Sequence, residues 1–132
     1  MSYSLLVVDD NAIMRRMTIH TISLANLSIS EIREAANGQE ALEALRRKRA
    51  DMVSLDLNMP VMDGETFLNR PRQDQDLKQT PVIVVSTESS ITRIARLRVH
   101  GAGFIHKPFQ PQELLDAVTR LLSFLATGPA HV

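Results

Sequence analysis

The stretch MVSLDLNMPVMDG, from Met52 to Gly64, decides the fold. Met52 to Leu55 carry no charge and do not alternate, and they run directly into Asp56. A nearly continuous apolar run of this length belongs to a strand covered on both faces, as in a parallel sheet. Two more runs share the pattern, LLVV (Leu5 to Val8) before it and VIVV (Val82 to Val85) after it. ISEIREA (Ile29 to Ala35) is more mixed and reads as an edge strand, and GFIH (Gly103 to His106) is a short fifth strand.

Segments of helical period separate these strands. The first spans about Ala12 to Leu24, with Ile13, Met17 and Ile22 among its apolar positions. The second, GQEALEALRRK, places Ala41, Leu42 and Leu45 on one side. Its RRKR ending suits the helix dipole, so it reads as a solvated helix end and not as a nucleic-acid patch. The third starts near Gly64 and should stop or kink at Pro71, which lacks an N–H and clashes with the preceding turn. The fourth covers about Glu88 to Val99. The fifth runs from Pro111 to about Ala126, with a stripe of Leu114, Leu115, Val118, Leu121, Leu122 and Leu125. Strict strand–helix alternation predicts an α/β domain with a parallel sheet and helices on both faces.

Composition narrows the function classes. A length of 132 residues suits one domain with one sizeable core, expected over residues 1–126 with a short tail at 127–132 and no segment left for an effector domain. Lys plus Arg number 15, as do Asp plus Glu, so no net charge favours nucleic acid or an anionic membrane. There is no cysteine, which excludes disulfides and thiolate metal sites. The start, MSYSLLVVDDNA, is not a signal peptide, and no stretch reaches the roughly 20 apolar residues of a membrane span. The expectation is a cytoplasmic protein without membrane insertion.

In an open α/β sheet, ligands bind beyond the carboxyl ends of the strands, near the switch in strand order. Asp9 and Asp10 follow the first strand, Asp56 the third, Ser86 and Thr87 the fourth, and Lys107 the fifth. Three carboxylates crowded together repel, and a hard divalent cation such as Mg²⁺ relieves this while keeping room for a phosphoryl oxygen. A carboxylate can attack an activated phosphoryl group, and a metal, a lysine and a hydroxyl can neutralise the transferred oxygens. Singly, each residue has a plainer reading. Asp10 or Asn11 suits a helix N-cap, Asp56 a turn before Met59 and Pro60, Ser86 to Glu88 a helix start, and Lys107 an ordinary loop. Phe104 alone reads as core. Their occurrence together, at four strand ends, favours one shared site.

These segments resemble the receiver domains of bacterial response regulators from about Tyr3 to Leu125. LLVVDDNAIMRRM resembles the family's first strand and acidic pair, EAANGQEAL its second strand end and helix, and DMVSLDLNMPVMDGETFL its phosphoacceptor segment. PVIVVST resembles the fourth strand and KPF (Lys107 to Phe109) the lysine motif. The resemblance implies a flavodoxin-like (βα)5 fold with strand order 2-1-3-4-5. It implies Asp56 as phosphoacceptor, and Mg²⁺ held by Asp9, Asp10, Asp56 and the backbone carbonyl of Asn58. It makes Lys107 a ligand of the phosphoryl oxygens, Ser86 and Phe104 switch residues, and Asn58 and Glu88 tuners of dephosphorylation. The chain departs from the family in three places: serine stands at the switch where threonine is commoner, the turn GAGFIHKP is one residue shorter, and Pro71 interrupts the third helix.

By this resemblance the chain is no enzyme beyond its own phosphorylation and dephosphorylation. Its phosphodonor would be a histidine kinase or phosphotransfer protein. Its output would be a target protein bound through the face of the fourth helix, fifth strand and fifth helix, in a chemotaxis-like manner. A phosphorelay intermediate is the alternative. A phosphohydrolase with an aspartate nucleophile would want a second Asp where Asn58 stands. A nucleotide- or flavin-binding domain would want a glycine-rich loop where DDNAIM stands. The full acid, hydroxyl and lysine set argues against a mere scaffold.

Overall fold

Leu5, Leu6, Val7 and Val8 are all buried, yet they serve two different cores. They belong to β1 (Tyr3–Val8), whose side chains point alternately to either face of the sheet. On one face, Leu6 and Val8 pack with Leu42 and Leu45. On the other, Leu5 and Val7 pack with Ile22, Leu114, Val118 and Leu122. A strand clad on both sides has no solvent face on which a polar residue gains anything, which is why the sequence pattern does not alternate. Each fully buried leucine contributes on the order of 2 kcal/mol through its area removed from water.

The computed structural model describes residues 2–25, 28–56, 80–86, 92, 103–106 and 109–127. After β1 come α1 (Ala12–Ser23), β2 (Ile29–Ala35), α2 (Gly38–Arg47), β3 (Met52–Asp56), β4 (Val82–Ser86), β5 (Gly103–His106) and a C-terminal helix (Pro111–Thr127). The five strands form one sheet in the order β2-β1-β3-β4-β5. Every pairing is parallel. Fold class, strand order and the edge position of β2 agree with the sequence reading, and the GFIH strand has the expected bounds. The third helix and, apart from the exposed helical Thr92, the fourth lie outside the described residues, as do Pro71 and residues 128–132.

Local chemistry sets the helix ends. Asn11 is the N-cap of α1, its side chain accepting from the amides of Ile13 (3.0 Å) and Met14 (3.1 Å). The cap falls on Asn11 and not on Asp10, so the Asp10 carboxylate is not consumed by the helix. Asn37 caps α2 by accepting from the Glu40 amide (2.9 Å), while Glu40 reaches back to the Ala36 amide (3.2 Å), a capping-box exchange. At the far end of α2, Arg33 of β2 donates to the carbonyl of Ala44 (2.9 Å), which also accepts from the Lys48 amide (3.1 Å), and to the carbonyl of Lys48 (2.6 Å), tying the helix end to the sheet.

The apolar positions of α1 divide between its two faces. Ile13 and Met17 lie on the solvent side of α1, 71% and 57% exposed, whereas Thr18 and Ile22 face the core. Apolar residues stand on both faces of this helix, so their spacing alone does not say which face is buried. The C-terminal helix is plainer: Leu114, Val118 and Leu122 are fully buried, and Leu115 and Leu121 flank them half-buried.

Candidate functional site

The order β2-β1-β3-β4-β5 reverses direction between β1 and β3, and the carboxyl ends of those two strands carry the acids. Val8 is in register with Leu55, and Val85 with Asp56, so the residues just past β1 meet the last residue of β3. Asp9, Asp10 and Asp56 each present a carboxylate oxygen, and these oxygens lie within 4.8 Å of one another. Asp9 is buried, Asp56 half-buried and Asp10 exposed, so the group opens to solvent on the Asp10 side.

Asp9 is held firmly. Its amide donates to the Ala35 carbonyl (3.1 Å), continuing the β1–β2 ladder one step past the strand. Its Oδ1 accepts from the Asn11 amide (2.9 Å). Its carbonyl accepts from Nη1 of Arg15 on α1 (2.7 Å). Arg15 Nε in turn donates to Glu34 Oε1 at the end of β2 (2.8 Å), and the Arg15 side chain is only 15% exposed. Arg15 and Glu34 were not singled out from the sequence. Their only signal there is a cation one helical turn beyond an acidic pair and an acid near the end of the neighbouring strand.

The fourth strand brings Ser86 to the same edge. Ser86 ends β4 in register with His106, which ends β5. Phe104 sits inside β5 opposite Val84, half-buried against the core that holds Leu6 and Leu42. Asn58, Glu88 and Lys107 lie outside the described residues. In the sequence Lys107 directly follows His106, the last residue of β5.

Three carboxylates with converging oxygens suit a hard divalent cation, because the repulsion among them is what such an ion removes. A cation there would leave Asp56, the acid on the middle strand, beside an anionic group entering from solvent. Among the described residues no helix is long and apolar enough to cross a membrane.

A doubly wound parallel sheet with an acid cluster at its switch point places the chain among α/β domains whose sites lie at the carboxyl edge of the sheet. The family model of the response regulator receiver domain matches residues 5–119, and the chain belongs to that family. It is 36% identical over 120 residues to the chemotaxis protein CheY1 of Helicobacter pylori, covering 89% of this chain and 95% of that protein. The solved structure of the chemotaxis response regulator CheY4 of Vibrio cholerae superposes with a TM-score of 0.81 at 35% identity, covering 92% of this chain and 99% of that one. The chain is also 35% identical over 108 residues to a protein-glutamate methylesterase/protein-glutamine glutaminase of Hahella chejuensis, but spans only 30% of its length.

Proposed function

We propose that this domain accepts a phosphoryl group on Asp56 from the phosphohistidine of a histidine kinase or phosphotransfer protein, and signals by binding a target protein in the phosphorylated state. The observation that carries this reading is the convergence of Asp9, Asp10 and Asp56 within 4.8 Å at the carboxyl edge of the sheet. Asp9, Asp10, Asp56 and the Asn58 carbonyl would hold Mg²⁺. A metal held there would supply charge stabilisation to the phosphoryl oxygens. A carboxylate oxygen of Asp56 attacks phosphorus in line, and the P–N bond breaks with its electron pair returning to the imidazole. Ser86 and Lys107 bind the transferred oxygens. Water later attacks phosphorus, releasing inorganic phosphate and restoring the Asp56 carboxylate, a step whose rate Asn58 and Glu88 tune.

The output is a population shift. Contacts from Ser86 to the new phosphoryl oxygens favour one of two arrangements, and Phe104 follows, reshaping the face of the fourth helix, β5 and the C-terminal helix. Residues 1–126 act as one receiver unit, in the cytoplasm. The domain performs no turnover beyond its own phosphorylation and dephosphorylation. The names of the relatives favour a chemotaxis-like target. The test is incubation with Mg²⁺ and acetyl phosphate, followed by intact mass over time beside Asp56→Asn. A Mg²⁺-dependent phosphoryl adduct absent from the variant is expected. Failure to form it with acetyl phosphate and with a phosphohistidine donor would refute the proposal.

A further inference from the structure

We infer that Arg15 and Glu34 form a clamp without net charge that fixes the Asp9–Asp10 peptide, making Arg15 a positioning residue for cation binding at the acid cluster. The inference rests on the receiver reading above and concerns how this chain prepares the site.

The backbone of Arg15 is anchored first, its amide donating to the Asn11 carbonyl (2.9 Å) in the opening turn of α1. Side chains on a helix lean toward its N-terminus, so the long Arg15 side chain reaches back over that turn to the end of β1. There Nη1 donates to the Asp9 carbonyl (2.7 Å) while Nε donates to Glu34 Oε1 (2.8 Å). The two bonds leave one planar guanidinium in different directions, one toward β1 and one toward β2. An ammonium has no comparable fixed fork.

The Asp9 carbonyl lies in the same rigid plane as the Asp10 amide, so its direction sets where the Asp10 backbone starts. The Asp9 amide and carboxylate are fixed by Ala35 and Asn11. Arg15 supplies a further restraint, on the carbonyl. Two of the three converging carboxylates therefore spring from a peptide whose orientation Arg15 holds.

Charge makes the second half of the inference. A lone guanidinium beside a cation site repels the cation. Glu34, paired at 2.8 Å, cancels that charge while leaving the hydrogen bond to Asp9 intact. The cluster keeps its full attraction for a divalent ion, and the peptide keeps its clamp. The two possible roles of Arg15 predict opposite signs. If Arg15 acts only as a nearby positive charge, its removal tightens cation binding. If it positions the peptide, its removal loosens binding although a positive charge has gone.

The experiment titrates the full chain with Mg²⁺ alone by calorimetry, in the wild type, Arg15→Met and Glu34→Gln, with melting temperatures in EDTA beside them. Arg15→Met is expected to bind Mg²⁺ about 10-fold more weakly, as loss of a residue orienting a metal ligand does. Glu34→Gln, which exposes the uncancelled guanidinium, is expected to bind a few-fold more weakly, with the loss shrinking as salt rises. A merely structural pair would lower the melting temperature and leave Mg²⁺ affinity of the folded protein unchanged. Wild-type or tighter affinity in Arg15→Met overturns the clamp. Should Arg15→Met fail to fold, unchanged affinity in Glu34→Gln overturns it instead. A wild type that binds no Mg²⁺ overturns the receiver reading itself, which separates the two failures.

Discussion

Replacing Asp10 with asparagine should stabilise the protein when no divalent cation is present. The substitution is nearly isosteric and removes one of three carboxylates whose oxygens lie within 4.8 Å of one another. Two unit charges at that separation repel by about 3.5 kcal/mol at an effective dielectric of ~20 and by about 0.9 kcal/mol in bulk water. Asp10 is exposed, so each of its two pairs lies nearer the lower figure. The relief is then roughly 1–3 kcal/mol, or about 3–10 °C in melting temperature for a domain of this size. The N-cap of α1 is not disturbed, because Asn11 supplies it. The assay is thermal unfolding followed by circular dichroism at neutral pH, in EDTA and in a Mg²⁺ series. In EDTA, Asp10→Asn should melt above the wild type. As Mg²⁺ rises, the wild type should gain by the logarithm of ligand over Kd, about 2.7 kcal/mol at a hundredfold excess, while the variant gains less. The two curves should therefore converge or cross. An Asp10→Asn protein that melts at or below the wild type in EDTA would show that the three carboxylates do not repel as their geometry requires.

Three further outcomes follow from the packing and the helix ends. Leu42→Ala empties a buried position in the core between the sheet and α2, and should cost about 2–4 kcal/mol, read as a lower urea midpoint at unchanged slope. Asn37→Ala removes the N-cap of α2 and should cost about 1 kcal/mol, with faster amide exchange at Glu40, whose N–H it bonds at 2.9 Å. The Glu31 carboxyl is held below its ordinary value of 4.5, first by the hydrogen bond from Lys48 at 2.7 Å; burial opposes this next, and the Lys48 charge, Ser4 and Arg33 add to the lowering. Because the folded-state value is depressed, the stabilisation is fully present at neutral pH and is lost as pH falls below about 4.5 through the folded value. The melting-temperature difference between wild type and Glu31→Gln should thus close on acidification, and a gap independent of pH would refute the assignment.

Most of the architecture is legible in the sequence for one physical reason. Strands buried on both faces carry uncharged, mostly apolar residues at successive positions, so LLVV, MVSL and VIVV mark the inner strands without regard to what packs on them. The mixed composition of ISEIREA marks β2 as the edge, since its outer side has no sheet neighbour to bury it. Once the strands are located, the site follows, because the residue after each inner strand lies at the carboxyl edge of a parallel sheet. Asp9, Asp10 and Asp56 come together for that reason. The face of α1 was less legible. Ile13 and Met17 have the spacing of a core stripe, yet the packed positions are Thr18 and Ile22, because apolar residues occur on both sides of the helix.

Arg15 and Glu34 mark where sequence pattern stops being informative. They are 19 positions apart and belong to elements of different type. Neither breaks a local rule: an arginine in a helix and a glutamate on an edge strand are both unremarked choices. Their contact exists only because the β1–β2 register sets Val8 against Ala35, which brings Glu34 level with the first turn of α1. Residues that do chemistry at this edge announce themselves by type and position at strand ends. Residues that orient them act through hydrogen bonds to backbone, and a backbone carbonyl such as that of Asp9 is present whatever the side chain. Such positioning contacts become visible only after the register is known.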